Sequence, residues 1–310
     1  MLKAQKQYLD GIAMASIGAI LFSGKAVIIK YAYRYEVSPE ALLALRMLIA
    51  LPMFWLVYWF VSRNKKAIPL LKIDYFKLIG LGFIGYFFSS YLDFLGLKYI
   101  SVGLERIILY LTPTIVILIS YFFLHKKIAR LQWYAMVVGY LGVMLVFLQD
   151  VDSKGDSAWL GTLLVFASSC LYAAYLIAAG EMVNRIGSMR LVTYATSVSA
   201  IFSAFQMLFH QPGTLFTQMP QVYWLSIINA GVCTVIPMFL VMIAVQRIGS
   251  SVTAQAGILG PLATVFMGWY FLDENMSLMQ IFGMVMVIAA MWLLVRNREA
   301  IVPFHEADKR

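Results

Sequence analysis

Lys25, Arg46, Asp93, Glu105 and Arg106 are ionisable side chains embedded in stretches that are otherwise almost wholly apolar. A charge at the centre of a membrane-crossing helix costs about 2.5–3.5 kcal/mol on insertion scales, so each of these residues calls for a partner or a task. Together they carry a formal charge of +1, which suits a ligand bearing a carboxylate or a phosphate. Internal pairing is the competing role: Asp93 and Glu105 could neutralise Arg46, Arg106 or Lys25 and fix helix packing. Arg106 could also snorkel to an interface. Adjacent helical residues point about 100° apart, so Glu105 shares a face with Leu109 and Thr112, and Arg106 with Tyr110 and Pro113. One of the two is expected to face an internal cavity and the other a neighbouring helix.

Backbone breaks and uncharged polar groups extend the candidate set. Pro113 and Pro261 each remove a backbone donor and free a carbonyl one turn earlier, at Leu109 and Gly257. Such groups survive in a membrane only against protein or a water-lined cavity. Gly257, Gly260 and Pro261 form the looser break, and both breaks are expected to line a binding site or simply kink the helix. Tyr110, Tyr172 and Tyr175 could orient a polar ligand through their hydroxyls. Gln255 and Asn229 are polar residues in apolar spans and could equally join helices. The sequence holds no H-E-x-x-H, C-x-x-C, phosphate loop or serine elbow, so it offers no enzyme signature, no metal-ligand set and no cofactor motif.

The elements that position these residues follow from composition. Of the 310 residues, 62% are hydrophobic and 13% charged, against about 45–50% and 25% in soluble domains. A helix needs about 20 apolar residues to cross the hydrocarbon, and the spans are predicted at 10–32, 39–62, 75–95, 101–124, 130–149, 158–180, 188–209, 222–244, 250–272 and 277–296. The net charge of +9 sits in short loops, which argues for membrane topology and against nucleic acid. Seventeen basic residues fall on one side and three on the other, so both termini are expected in the cytoplasm. The tail 297–310 is short and charged, and is expected to be solvated there.

The chain also repeats itself. Leu111, Pro113, Phe123 and Leu124 recur 148 residues later as Leu259, Pro261, Phe271 and Leu272, while Gly11, Leu21 and Ser38 recur after 150 as Gly161, Leu171 and Ser188. Units of five spans, 10–149 and 158–296, would enter the membrane from opposite sides, as inverted repeats do in many carriers. The counterparts of the five charges are Tyr175, Thr196, Val241, Thr253 and Ala254, none charged, which favours a functional role for the charged set.

Leu97-Lys98-Tyr99 with Pro113 and Gln132, and Pro261, Leu272, Glu274 and Gln280 in the second unit, resemble the EamA-type branch of the drug/metabolite transporter superfamily. The likeness covers roughly residues 10–296, and its motifs do not specify a substrate. His125-Lys126-Lys127 departs from it, standing where the family often has an acidic residue. The resemblance implies an all-α membrane protein of ten transmembrane helices that exports a small metabolite. The expected protein is therefore a secondary transporter in the cytoplasmic (inner) membrane. Its expected cargo is an amino acid or related zwitterion, moved by alternating access. Glu105 or Asp93 would carry any proton coupling, and uncoupled movement is an equal alternative. A channel, a receptor or a lipid-modifying enzyme are the competing classes. The oligomeric state is left open.

Overall fold

The computed structural model describes residues 2–63, 69–125, 128, 130–155, 157–210, 213–241, 243, 244, 247, 259–274 and 277–296. All regular structure among them is helical: α1 (Leu2–Ala32), α2 (Pro39–Ser62), α3 (Lys72–Leu97), α4 (Val102–Phe123), α5 (Arg130–Lys154), α6 (Ser157–Ile186), α7 (Ser188–His210), α8 (Pro220–Val241), α9 (Leu259–Leu272) and α10 (Leu278–Arg296). Eight of these helices are long and apolar enough to cross a membrane, and Leu259–Leu272 and Leu278–Ala290 are shorter apolar helices. The predicted start of the ninth span, 250–258, lies outside the described residues.

Helix ends follow local chemistry. Ser38 caps α2 by accepting from Ala41 N at 3.2 Å, with Pro39 preset for the first helical position. Ser101 caps α4 in the same way, accepting from Leu104 N at 3.1 Å. Ser277 and Gln280 form a reciprocal capping box at the start of α10, with bonds of 3.3 and 3.1 Å. Gln280, one of the residues carrying the family likeness, thus has a local structural task.

Three departures from regular α-helix bear on function. Residues Gly82–Phe88 of α3 and Gly231–Val235 of α8 are π-helical. Helix α4 breaks at Leu111 into Val102–Tyr110 and Thr112–Leu124. Pro113 causes that break, but the carbonyl it frees at Leu109 is not left open: Thr112 Oγ1 donates to it at 2.6 Å. The freed carbonyl is thus met by protein, through a hydroxyl three residues on.

The most extensive helix packing is between α5 and α10, followed by α3 with α6, and then by α7 with α2 and α3. Glycines permit the first of these. A methyl group added at Gly142 would lie 2.6 Å from Gly283 O, and one at Gly283 would lie 2.6 Å from Gly142 O. Gly142→Leu is therefore expected to cost about 1–3 kcal/mol, because backbone cannot step aside as a side chain does. Gly80→Ala, with nothing within 4 Å, should be neutral, and the thermal unfolding midpoint of each variant in detergent checks both. The outer surface is rich in apolar side chains, with Trp59, Phe122, Phe123, Trp224 and Tyr270 exposed, whereas Arg46, Asp74, Asp93, Glu105 and many Ser and Thr side chains are buried. That inversion of the usual soluble pattern fits a multi-pass membrane protein.

Candidate functional site

Helices α1, α3 and α4 bring four of the five charges into one buried network. Lys25 Nζ lies 2.7 Å from Asp93 Oδ2 and 4.0 Å from Glu105 Oε1. Arg106 Nε lies 3.8 Å from Glu105 Oε2, and its Nη2 donates to Phe22 O on α1 at 3.2 Å. Glu105 is fully buried and Asp93 nearly so. Of the adjacent pair, Arg106 bears on a neighbouring helix, α1, while Glu105 lies between Lys25 and Arg106 within the network.

Arg46 on α2 stands apart. It is buried, its Nη2 donates to Ser90 Oγ at 3.1 Å, and its guanidinium lies 4.7 Å over the Phe94 ring. Its Nε has no hydrogen-bond partner, and among the described residues no carboxylate lies within ion-pair distance of it. Ser90, Asp93 and Phe94 lie within a single turn and a half of α3, so one helix presents a partner for Lys25 and a cradle for Arg46. The π segment just before them sets that orientation. An extra residue in a helical turn rotates all that follows by about 100° relative to an unbroken helix.

The aromatic candidates separate. Tyr175 is buried, meets Tyr86 edge-on at 5.3 Å and covers Gly85. Tyr172 stacks on Tyr175 at 5.6 Å but is 38% exposed, so it forms the outer layer of that group. Tyr110 packs with the aliphatic cluster around Ile107 and Leu111. Gly260 and Pro261 are buried, and Gly260 O accepts from Ser23 Oγ at 2.7 Å, which seats the first turn of α9 on α1 two residues from Lys25. Gln255 and Gly257 lie outside the described residues.

A second polar face, of which only Asn229 stood out in the sequence, lies on α7 and α8. The hydroxyls of Thr196, Ser199 and Ser203 on α7 and of Ser226 on α8 are buried without partners, as are both side-chain polar atoms of Asn229. The spacings 196/199/203 and 226/229 place each set on one helical face. That periodicity was the available signal, masked by the habit of Ser and Thr in helices of bonding to their own backbone. Asn229 ends at a π segment, where Thr234 Oγ1 takes its carbonyl at 2.8 Å. Charges thus come from helices of the first half and uncharged donors and acceptors from helices of the second.

A polytopic helical bundle with an apolar surface and an enclosed charge network is a membrane protein whose polar interior is shielded from lipid. Its kinship defines it further. Residues 9–148 and 159–296 each match the EamA-like transporter family, and the chain belongs to that family. It is 31% identical over 277 residues to the uncharacterized transporter YcbK of Bacillus subtilis, covering 88% of each chain. An uncharacterized transporter of Synechocystis is 22% identical over 95% of both chains. One crystal structure of a protein superposes with a TM-score of 0.65 at 14% identity, covering 94% of this chain and 97% of the other, a likeness of fold. The protein is a membrane transporter, and its relatives point to transport in place of catalysis.

Proposed function

We propose that this protein is a secondary transporter that exports a small amphipathic metabolite, such as an amino acid or a related zwitterion, by alternating access. Arg46 is the observation that carries the substrate class. It is a buried cation held by a hydroxyl and an aromatic ring, with its Nε donor unused and no carboxylate at ion-pair distance among the described residues, a position that a substrate carboxylate would complete. Asp93 and Glu105 could receive a substrate ammonium in place of Lys25 or take up a coupling proton. The hydroxyls of α7 and the Asn229 amide offer neutral hydrogen bonds to the rest of the molecule.

Two inverted five-helix repeats, 10–149 and 158–296, are the scaffold of this mechanism, with ten helices in all. Several contacts support it by exchanging under the offsets read from the sequence. Gly139 faces Ala290 and Gly142 faces Val287, an antiparallel pair of contacts that an offset of 148 interconverts. Ser168 bonds Ser89 at 2.8 Å, and their counterparts Gly18 and Pro237 also meet. The π segments of α3 and α8 coincide under the same offset, as do the left-handed residues His125 and Asp273 that end α4 and α9. Both termini are placed in the cytoplasm on the strength of the loop charges.

A ligand that binds only the folded state raises its stability by mass action. The purified protein is therefore expected to gain thermal stability with amino acids or related zwitterions, and not with purely cationic compounds. A response confined to cations would overturn the substrate class.

A further inference from the structure

A cavity of about 400 Å³ opens at the end of the bundle that holds the α1–α2 and α9–α10 connections, outside the ion network. Its wall carries Lys30, Arg34, Lys98 and Glu274, with Tyr33 beside them. Three cations therefore face one carboxylate, and that carboxylate is already engaged. Glu274 lies 3.6 Å from Lys30 Nζ, and both of its oxygens accept from Val102 N at 3.3 Å, at the first turn of α4. Arg34 gives one Nη2 to Leu272 O at 3.2 Å and rests 5.0 Å over the Tyr31 ring, with no carboxylate at ion-pair distance among the described residues. Lys98 is exposed and takes part in no ion pair among them. A concave wall with two uncompensated positive charges focuses its field on the space it encloses and raises the local concentration of anions.

The position of the cavity gives that field a purpose. Lys30 follows Lys25 by five residues on α1, Lys98 follows Asp93 by five on α3, and Glu274 holds the α4 turn that precedes Glu105 and Arg106. Five residues of helix span about 7.5 Å, so the cavity lies roughly one and a half turns from the ion network along the same three helices. Bonds from Tyr33 Oη to Phe94 O at 2.6 Å and from Lys30 to Ile100 O close the space between the two levels.

We propose that this cavity is a second anion site, which takes a free organic carboxylate or phosphate at the mouth of the protein and competes with Glu274 for Lys30. The inference rests on the carrier reading only for the identity of its ligand as cargo. The site itself stands on the charges of its wall. A lipid headgroup offers the same anionic oxygens, and the cavity's place at the bundle end, about one and a half turns from the ion network, favours the soluble anion.

Lysine acylation of the full-length protein in phosphatidylcholine nanodiscs tests this, read peptide by peptide with citrate or inorganic phosphate present and chloride at matched ionic strength as the control. Modification of Lys98 is expected to slow with occupancy, about tenfold when citrate stands at roughly ten times its dissociation constant. Lys77, exposed on another part of the molecule, should be unchanged. Arg34→Gln, at an exposed position, should abolish the protection while leaving the unfolding midpoint intact. Equal rates at Lys98 with and without the anions would overturn the proposal. So would protection that appears only when phosphatidylglycerol is added to the nanodisc, which would assign the cavity to a headgroup. Protection of Lys98 in a protein that no zwitterion stabilises would separate this site from the failure of the central one.

Discussion

Lys25→Met is expected to destabilise the protein by about 3–5 kcal/mol and to abolish transport, because it leaves Asp93 and Glu105 buried with one cation between them. Lys25 Nζ touches Asp93 at 2.7 Å and reaches Glu105 at 4.0 Å, so a single ammonium serves two carboxylates. Arg106, at 3.8 Å from Glu105, cannot also replace Lys25 at Asp93 without giving up its bond to Phe22 O. The double variant Lys25→Met/Asp93→Asn removes the unpaired charge together with its partner and should recover most of the lost stability. Transport should remain absent in the double variant if the network handles substrate, and should return if the pair only fixes packing. Thermal unfolding in nanodiscs and flux in proteoliposomes read the two quantities separately.

Arg46→Ala has the opposite signature. Little of the fold depends on this side chain, which is held by Ser90 and the Phe94 ring, so the unfolding midpoint should move only slightly. Hydrogen bonds to charged groups contribute about 1.5–3 kcal/mol, so loss of the guanidinium should weaken a carboxylate ligand by roughly ten- to a hundredfold. Arg46→Lys should restore part of the affinity and not all of it, since an ammonium cannot offer the planar fork that matches a carboxylate. A ligand titration followed by thermal shift measures all three proteins. Unchanged affinity in Arg46→Ala would remove Arg46 from the site and direct attention to Asn229 and the α7 hydroxyls.

Composition and loop charge were enough to recognise a helical membrane protein, and the recurrence of Pro113 at Pro261 made the family legible. The five charges within the spans were also visible, and so was their mutual pairing as an alternative role. Which cation takes which carboxylate was not. Lys25 and Asp93 are 68 residues apart, and their meeting depends on α3 being rotated by the π segment Gly82–Phe88. A π turn has no strong signature in residue type, so a regular helical wheel drawn through α3 misdirects Ser90 and Asp93. The break at Pro113 was legible, whereas its repair by Thr112 required the hydroxyl's rotamer. On α7 and α8, Ser199, Ser203 and Ser226 look like ordinary helix-packing residues until their surroundings show that their hydroxyls find no acceptor.

The proposed function is that of a carrier in which Arg46 and the ion network of α1, α3 and α4 bind a carboxylate-bearing solute and move it across the membrane. Counterflow tests it most directly: proteoliposomes loaded with a high concentration of an unlabelled solute that stabilises the protein are diluted into a trace of the same solute in labelled form. A carrier gives a transient, saturable accumulation of label that is absent in Arg46→Ala and in Lys25→Met/Asp93→Asn. Label that only equilibrates, without overshoot and without saturation, would contradict a carrier and indicate a pore.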